Sequence, residues 1–191
     1  MKDLQKMSPI EFKSCSILAS VYALRMLGMF LILPIFAIYA TNLDSNPTSL
    51  QIGLALGIYG LTQAIFQIPF GMSSDYFGRK KVIYFGLLLF IVGSLIAGYS
   101  TSIEGIILGR SIQGSGAISA VLTALLADIT REEQRTKAMA IIGASIGFTF
   151  ALSLVLSPWL NDVIGVDGIF ILMAILSFTA FLLVYFFIKE P

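Results

Sequence analysis

The intervals between charged residues constrain this chain more than any other feature. Asp44 to Asp75, Lys81 to Glu104, Lys137 to Asp162 and Asp167 to Lys189 hold no charge at all. Lys13 to Asp44 is broken only by Arg25, and Glu104 to Asp128 only by Arg110. Each interval is long enough, at about 1.5 Å per helical residue, to cross the roughly 30 Å hydrocarbon of a bilayer. With 57% hydrophobic and 12% charged residues, a water-soluble domain of this size could not cover its apolar surface. The expected fold is an all-α membrane protein with six transmembrane helices, at about 14–40, 50–72, 82–100, 104–127, 137–160 and 168–188.

Cations near helix ends set orientation, because Lys and Arg are retained on the cytoplasmic side. Lys2, Lys6 and Lys13 precede the first interval, Arg79, Lys80 and Lys81 lie between the second and third, Arg131, Arg135 and Lys137 between the fourth and fifth, and Lys189 follows the sixth. The alternate loops hold Asp44, Glu104, Asp162 and Asp167 and no cation. Both termini are therefore expected in the cytoplasm. The first interval is too long for a cleaved signal peptide and contains Arg25. A single Cys15 and the absence of histidine leave no disulfide, imidazole relay or His-ligated metal to expect. No nucleophile and base pair or phosphate loop is present, so no enzymatic activity, cofactor or nucleic-acid partner is expected; the lipid bilayer is the first partner.

The densest polar information lies in Gly71–Lys81, GMSSDYFGRKK, between two apolar intervals. Its Gly71, Asp75, Gly78, Arg79 and Lys80 resemble the G-x-x-x-D-x-x-G-R-K loop between helices two and three of the major facilitator superfamily of membrane transporters. Arg110, Gln113 and Gly114 in GRSIQGSG are similar to its R-x-x-Q-G pattern in helix four, and Asp128 and Arg135 in DITREEQRTKA fit a repeat of the loop pattern. The resemblance covers nearly all of residues 1–191. Within the superfamily, RMLGMF, LTQAIFQIPFG and RTKAMA look most like bacterial inner-membrane proton-coupled efflux transporters.

The resemblance implies an N-terminal six-helix bundle built as an inverted three-plus-three repeat, in which Arg25 of helix one and Arg110 of helix four hold corresponding places. It also implies a missing C-terminal six-helix bundle, carried on the same longer chain or on a second subunit, with a small-molecule substrate and protons passing between the two. The implied location is the bacterial cytoplasmic membrane. Asp75, Arg79, Asp128 and Arg135 would then form a conformational latch between outward-open and inward-open states. The alternative is a solvated loop whose ion pairs contribute about 0–1 kcal/mol. Gly71 and Gly78 are expected where the chain turns or packs closely.

Arg25 and Arg110 each cost about 2.5–3.5 kcal/mol near a helix centre, so both must face protein or water. This half supplies no intramembrane carboxylate to pair with them. Backbone carbonyls, an acid of the missing half and an anionic part of the substrate are the open choices. For Arg110 the resemblance implies proton coupling, with hydrogen bonds toward helix one. Arg25 is either a packing cation or a substrate contact, beside the adaptable Met26, Met29 and Phe30.

Helical spacing gives softer signals. Tyr59, Gln63 and Gln67 make a polar stripe, and so do Ser145, Thr149, Ser153 and Ser157. Either could line the translocation cavity, or bond neighbouring carbonyls and helices instead. Gly53, Gly57 and Gly60, and Gly143, Gly147 and Ala151, make small-residue faces suited to helix packing. Phe170, Phe178, Phe181, Phe186 and Phe187 are expected to face lipid. Phe148 follows Gly147 where drug antiporters of the superfamily commonly carry proline, which leaves a sugar or anion uniporter or symporter as the alternative within transport. A membrane scaffold or sensor subunit is the alternative outside it.

Overall fold

A computed structural model describes residues 7–43 and 46–188. Lys2, Lys6, Asp44 and Lys189, invoked above for orientation, lie outside them. All regular structure among the described residues is helical, in seven elements that fall on the charge-free intervals.

Helix α1, Pro9–Ile32, opens with a capping box in which Ser8 and Glu11 each satisfy the other's backbone N–H, with Pro9 in the first helical turn. It stops before Pro34, which has no N–H to continue the ladder; the Leu33 N–H takes the Phe30 carbonyl instead, and α2, Phe36–Thr41, resumes beyond. Helix α3, Ser49–Phe77, is boxed by Thr48 and Gln51 and ends at Gly78, whose φ of 95° only glycine adopts without strain. Helix α4, Arg79–Tyr99, starts at once.

The fourth interval is broken into α5, Ile103–Ser115, and α6, Ser119–Asp128, with Gly116 between them. The last two intervals lie on one element, α7, Glu132–Phe187, which changes direction at Gly165, with φ 69° and ψ 175°. An acidic loop was expected there; instead Asp162 and Asp167 sit in the helical arms 132–164 and 166–187, because one glycine at positive φ suffices for the turn. By length and composition, Pro9–Ile32, Ser49–Phe77, Arg79–Tyr99 and Glu132–Phe187 can each cross a membrane.

Helix α1 packs along α7, α4 against α5 and α7, and α3 against α5. Two apolar cores result. One gathers Leu18, Tyr22, Ile83, Leu87, Leu122 and Val184; the other gathers Leu31, Phe36, Phe90, Ile106, Phe170 and Met173. Glycine permits close crossings: a Cβ on Gly93 would lie 2.5 Å from the Gly109 carbonyl and one on Gly109 2.7 Å from the Gly93 carbonyl. A Cβ on Gly116 would collide with the Gly86 carbonyl, and one on Gly86 would strike the Ile118 side chain.

The small-residue faces picked from the sequence do something else. A Cβ at Gly53, Gly57, Gly60, Gly143 or Gly147 would meet nothing within 4 Å, so these stripes do not pack helices within this chain. The glycines that do pack are those facing another helix's backbone, which spacing along one helix cannot identify. Phe170 is a second correction: it is fully buried against Gly98 in the second core, whereas Phe178, Phe186 and Phe187 are exposed.

Candidate functional site

Between the two cores lies a polar layer built on the interruption of the fourth interval. Breaking the helix at Gly116 frees its carbonyl from the regular ladder. Arg25, only 1% exposed, shares that carbonyl with the Ile118 N–H, which donates at 2.9 Å: Nη2 donates to the Gly116 carbonyl at 2.7 Å and Nη1 to the Ser119 hydroxyl at 3.1 Å. Its guanidinium also stands 5.5 Å from the centre of the Phe90 ring. A lone buried cation is tolerated because oriented carbonyl dipoles and a ring face replace its hydration.

Arg110, 2% exposed, is held in the same manner. It donates to the Ala55 carbonyl at 3.3 Å, the Leu56 carbonyl at 3.5 Å and the Gln113 Oε1 at 3.3 Å, and it lies 4.9 Å from the Tyr59 ring centre. The expectation of bonds toward helix one is overturned, since every one of these partners outside its own helix is on α3. The cause is Gly114, one turn on and on the same face, where a Cβ would collide with the Tyr59 carbonyl and the Thr62 hydroxyl; its absence draws α3 against α5. Gln113, fully buried, donates to the Ser94 hydroxyl at 2.7 Å and faces the Met173 sulfur at 3.5 Å. Of the partners open to the two arginines, backbone carbonyls are those the fold supplies. The Arg25 Nε, the Tyr59 hydroxyl and the Gln63 Oε1 are buried without a hydrogen-bond partner among the described residues.

Charges cluster at one end of the bundle. Arg79 bridges three elements: Nη1 pairs with Asp75 at 2.5 Å and donates to the Ser74 hydroxyl at 2.6 Å, while Nε donates to Asp128 at 3.0 Å. The end of α3, the start of α4 and the end of α6 are joined through this one guanidinium. A Cβ on Gly71 would lie 4.0 Å from that of Ala120 on α6, an ordinary contact, so this position does not demand the glycine that close packing was expected to need. Lys80 donates to the Ile188 carbonyl at 2.6 Å, tying α4 to the end of α7. Arg135 does not join the cluster. Gln134 and Ala138 take the inward positions on that turn of α7, which leaves Arg135 exposed.

A second tie at this end was not foreseen. The Glu11 carboxylate, 7% exposed, receives Arg131 through Nε at 2.9 Å, Nη2 at 3.0 Å and the backbone N–H at 3.0 Å. Hydrogen bonding to Glu11 raises the Arg131 pKa above its ordinary value. The sequence carried one signal for it, the S-P-I-E capping box at residues 8–11, which fixes Glu11 at a helix start; nothing local couples that turn to Arg131.

The polar stripes fall differently from one another. Tyr59 is buried between Arg110 and Phe90, and Gln63 and Gln67 are half-buried. Thr149 is buried and bonds the Ser145 and Ile146 carbonyls of its own helix, so it does not line an open cavity. Ser145 and Ser157 reach the Ala19 and Leu31 carbonyls of α1, which makes this stripe a seam between α7 and α1. Met26 and Met29 are half-buried against the two cores, and Phe30 meets Phe150 edge-on at 5.1 Å.

The profile of the Major Facilitator Superfamily matches residues 18–191. The chain is 53% identical to the inner membrane transport protein YajR of Escherichia coli K12 over 174 residues, which cover 91% of this chain and 38% of that one. It is 30% identical to the class B tetracycline resistance protein of Escherichia coli over 166 residues, 86% of this chain and 41% of that one. Among solved structures, the inward-open xylose transporter XylE of E. coli shares the fold with a TM-score of 0.77 at 16% identity, over 95% of this chain and 48% of that chain. The chain thus spans less than half the length of these proteins.

Proposed function

This chain belongs to the Major Facilitator Superfamily, and from that premise we propose that it forms the N-terminal six-helix bundle of an alternating-access transporter, crossing the bacterial inner membrane with both termini in the cytoplasm. The observation that carries the reading is the pair of open glycine stripes, Gly53, Gly57 and Gly60 on α3 and Gly143 and Gly147 on α7. Small residues let a membrane helix approach closely, and a second bundle is the partner that the relatives' greater length supplies.

Proton-driven efflux of a small organic compound is the transport mode proposed. Support comes from the tetracycline resistance relative and from Arg110, a charge buried at the junction of α3 and α5 with Gln113 as its only side-chain partner in hydrogen bonding. The Arg79 bridge serves as the latch: its contacts to Asp75 and Asp128 hold one end of the bundle in a single arrangement, and their rearrangement shifts the balance of states. Phe148 after Gly147 favours a second reading, uniport or symport of a sugar or anion.

The test is flux in proteoliposomes of the full-length transporter, with tetracycline and a cationic dye as probes and an imposed pH gradient. Gradient-driven export that Arg110→Ala abolishes, with probe binding retained, supports the proposal. Unchanged coupling in Arg110→Ala places the proton site elsewhere, and flux that ignores the gradient favours uniport.

A further inference from the structure

Three consecutive cations open α4, and two are already engaged: Arg79 by Asp75 and Asp128, Lys80 by the Ile188 carbonyl. Lys81 is exposed and has no ion pair or hydrogen-bond partner among the described residues. It stands at the mouth of a cavity of about 360 Å³ between α3 and α4, lined by Phe70, Ser73, Phe77, Val82 and Phe85. The lining is apolar apart from Ser73 and Lys81, and it follows from helical spacing. Positions 70, 73 and 77 share one face of α3, and 81, 82 and 85 one face of α4. Phe70 and Phe85 stack across the floor at 6.0 Å, leaving Phe85 and Phe77 more than half exposed.

We propose that this groove seats one anionic phospholipid, its acyl chain against Phe70 and Phe85 and its phosphate on the Lys81 ammonium, with the Ser73 hydroxyl available as a donor. The charge is complementary, and the depth fits. Lys81 lies less than one turn beyond Gly78, so it sits at the level of headgroups with Phe77 beside it, while Phe70 and Phe85, about two turns from Gly78, reach the acyl region. The other lysine beside a comparable groove, Lys13, already lies over the Phe187 ring at 6.0 Å, which leaves Lys81 the better placed cation. The groove also lies well round α3 from Gly53, Gly57 and Gly60, the face assigned to the second bundle. Only 11% of the most apolar window of α3 is buried, against 50% in α4, so α3 has surface for both.

The proposal rests on the membrane-spanning reading, and one experiment separates the two. Trp159, the single tryptophan of residues 1–191, is replaced by Phe together with any tryptophan of the rest of the full-length protein, and Phe85→Trp or, as a second reporter, Phe77→Trp is introduced. The full-length protein is reconstituted in phosphatidylcholine vesicles containing brominated phosphatidylglycerol or brominated phosphatidylcholine as quencher. Half-quenching should need about fivefold less brominated phosphatidylglycerol, the size expected for one lysine against an anionic lipid. Lys81→Gln should erase the preference and Lys13→Gln should leave it. Equal quenching by both lipids, or a preference that survives Lys81→Gln, overturns the lipid seat while leaving the membrane reading intact. No quenching at either reporter by either lipid overturns the seat as well, by showing the groove covered or outside the bilayer.

Discussion

Arg79 and Glu11 occupy the same end of the bundle, yet their removal should have opposite consequences. Arg79 bridges Asp75, which is largely exposed, and Asp128, which is half-exposed, and ion pairs of that kind contribute about 0–1 kcal/mol. Arg79→Ala should therefore shift thermal unfolding little while strongly reducing flux, because it frees α6 from α3 and α4. Glu11 is buried and accepts charge-assisted bonds from Arg131 besides capping α1. Glu11→Ala should lower stability by about 1.5–3 kcal/mol in denaturant titration, and Ser8→Ala by about 1 kcal/mol, as for other lost N-caps. A stability loss in Arg79→Ala as large as that in Glu11→Ala would contradict this division. Legibility differed in the same way: the Arg79 motif could be read from one loop, while the Glu11 contact joins residues far apart in the chain.

At the level of helices, glycine separates into two kinds. Gly93, Gly109 and Gly114 face backbone of a neighbouring helix, so alanine at any of them should cost about 1–3 kcal/mol through forced separation. Gly57 and Gly143 face open space, and alanine there should leave this bundle unharmed or stabilise it by up to about 1 kcal/mol, the helix-propensity gain. Melting temperatures of the single variants decide the matter. Gly78 is a third case, since its positive φ strains any residue with a Cβ; Gly78→Val should lower flux with every charge of the loop intact. Charge-free length marked the apolar intervals on which the helices fall, but not the breaks at Pro34 and Gly116 or the single-glycine turn at Gly165. The sequence reading misassigned the glycines, because which face of a helix meets another is settled by the crossing and not by the repeat.

On the scale of the whole molecule, the same open stripes become a statement about assembly. On the proposed two-bundle assembly, cysteine placed at Gly57 or Gly147 in the full-length protein should cross-link to the second bundle with a short bifunctional reagent, whereas cysteine at Tyr185, exposed on the last arm of α7, should not. The opposite pattern would move the docking face. The polar layer belongs to this scale as well. Arg25 spans from α1 to the break in the fourth interval and Arg110 from α5 to α3, so each arginine fastens a pair of helices that the short connections do not.

Hydropathy and charge spacing along the chain were enough to point to an all-helical membrane protein, because crossing hydrocarbon is a demand each segment meets alone. The motif residues Arg79, Asp75 and Asp128 were likewise legible, as their types and spacing survive without coordinates. Tertiary structure alone decided that Arg110 turns to α3 and not to α1, that Arg135 stays outside the charged cluster, that Thr149 bonds its own helix, and that Arg131 finds Glu11. The first follows from how closely α3 approaches α5, which Gly114 sets by what it lacks, and the others from which faces of α7 and α1 turn inward, which spacing along one helix does not specify.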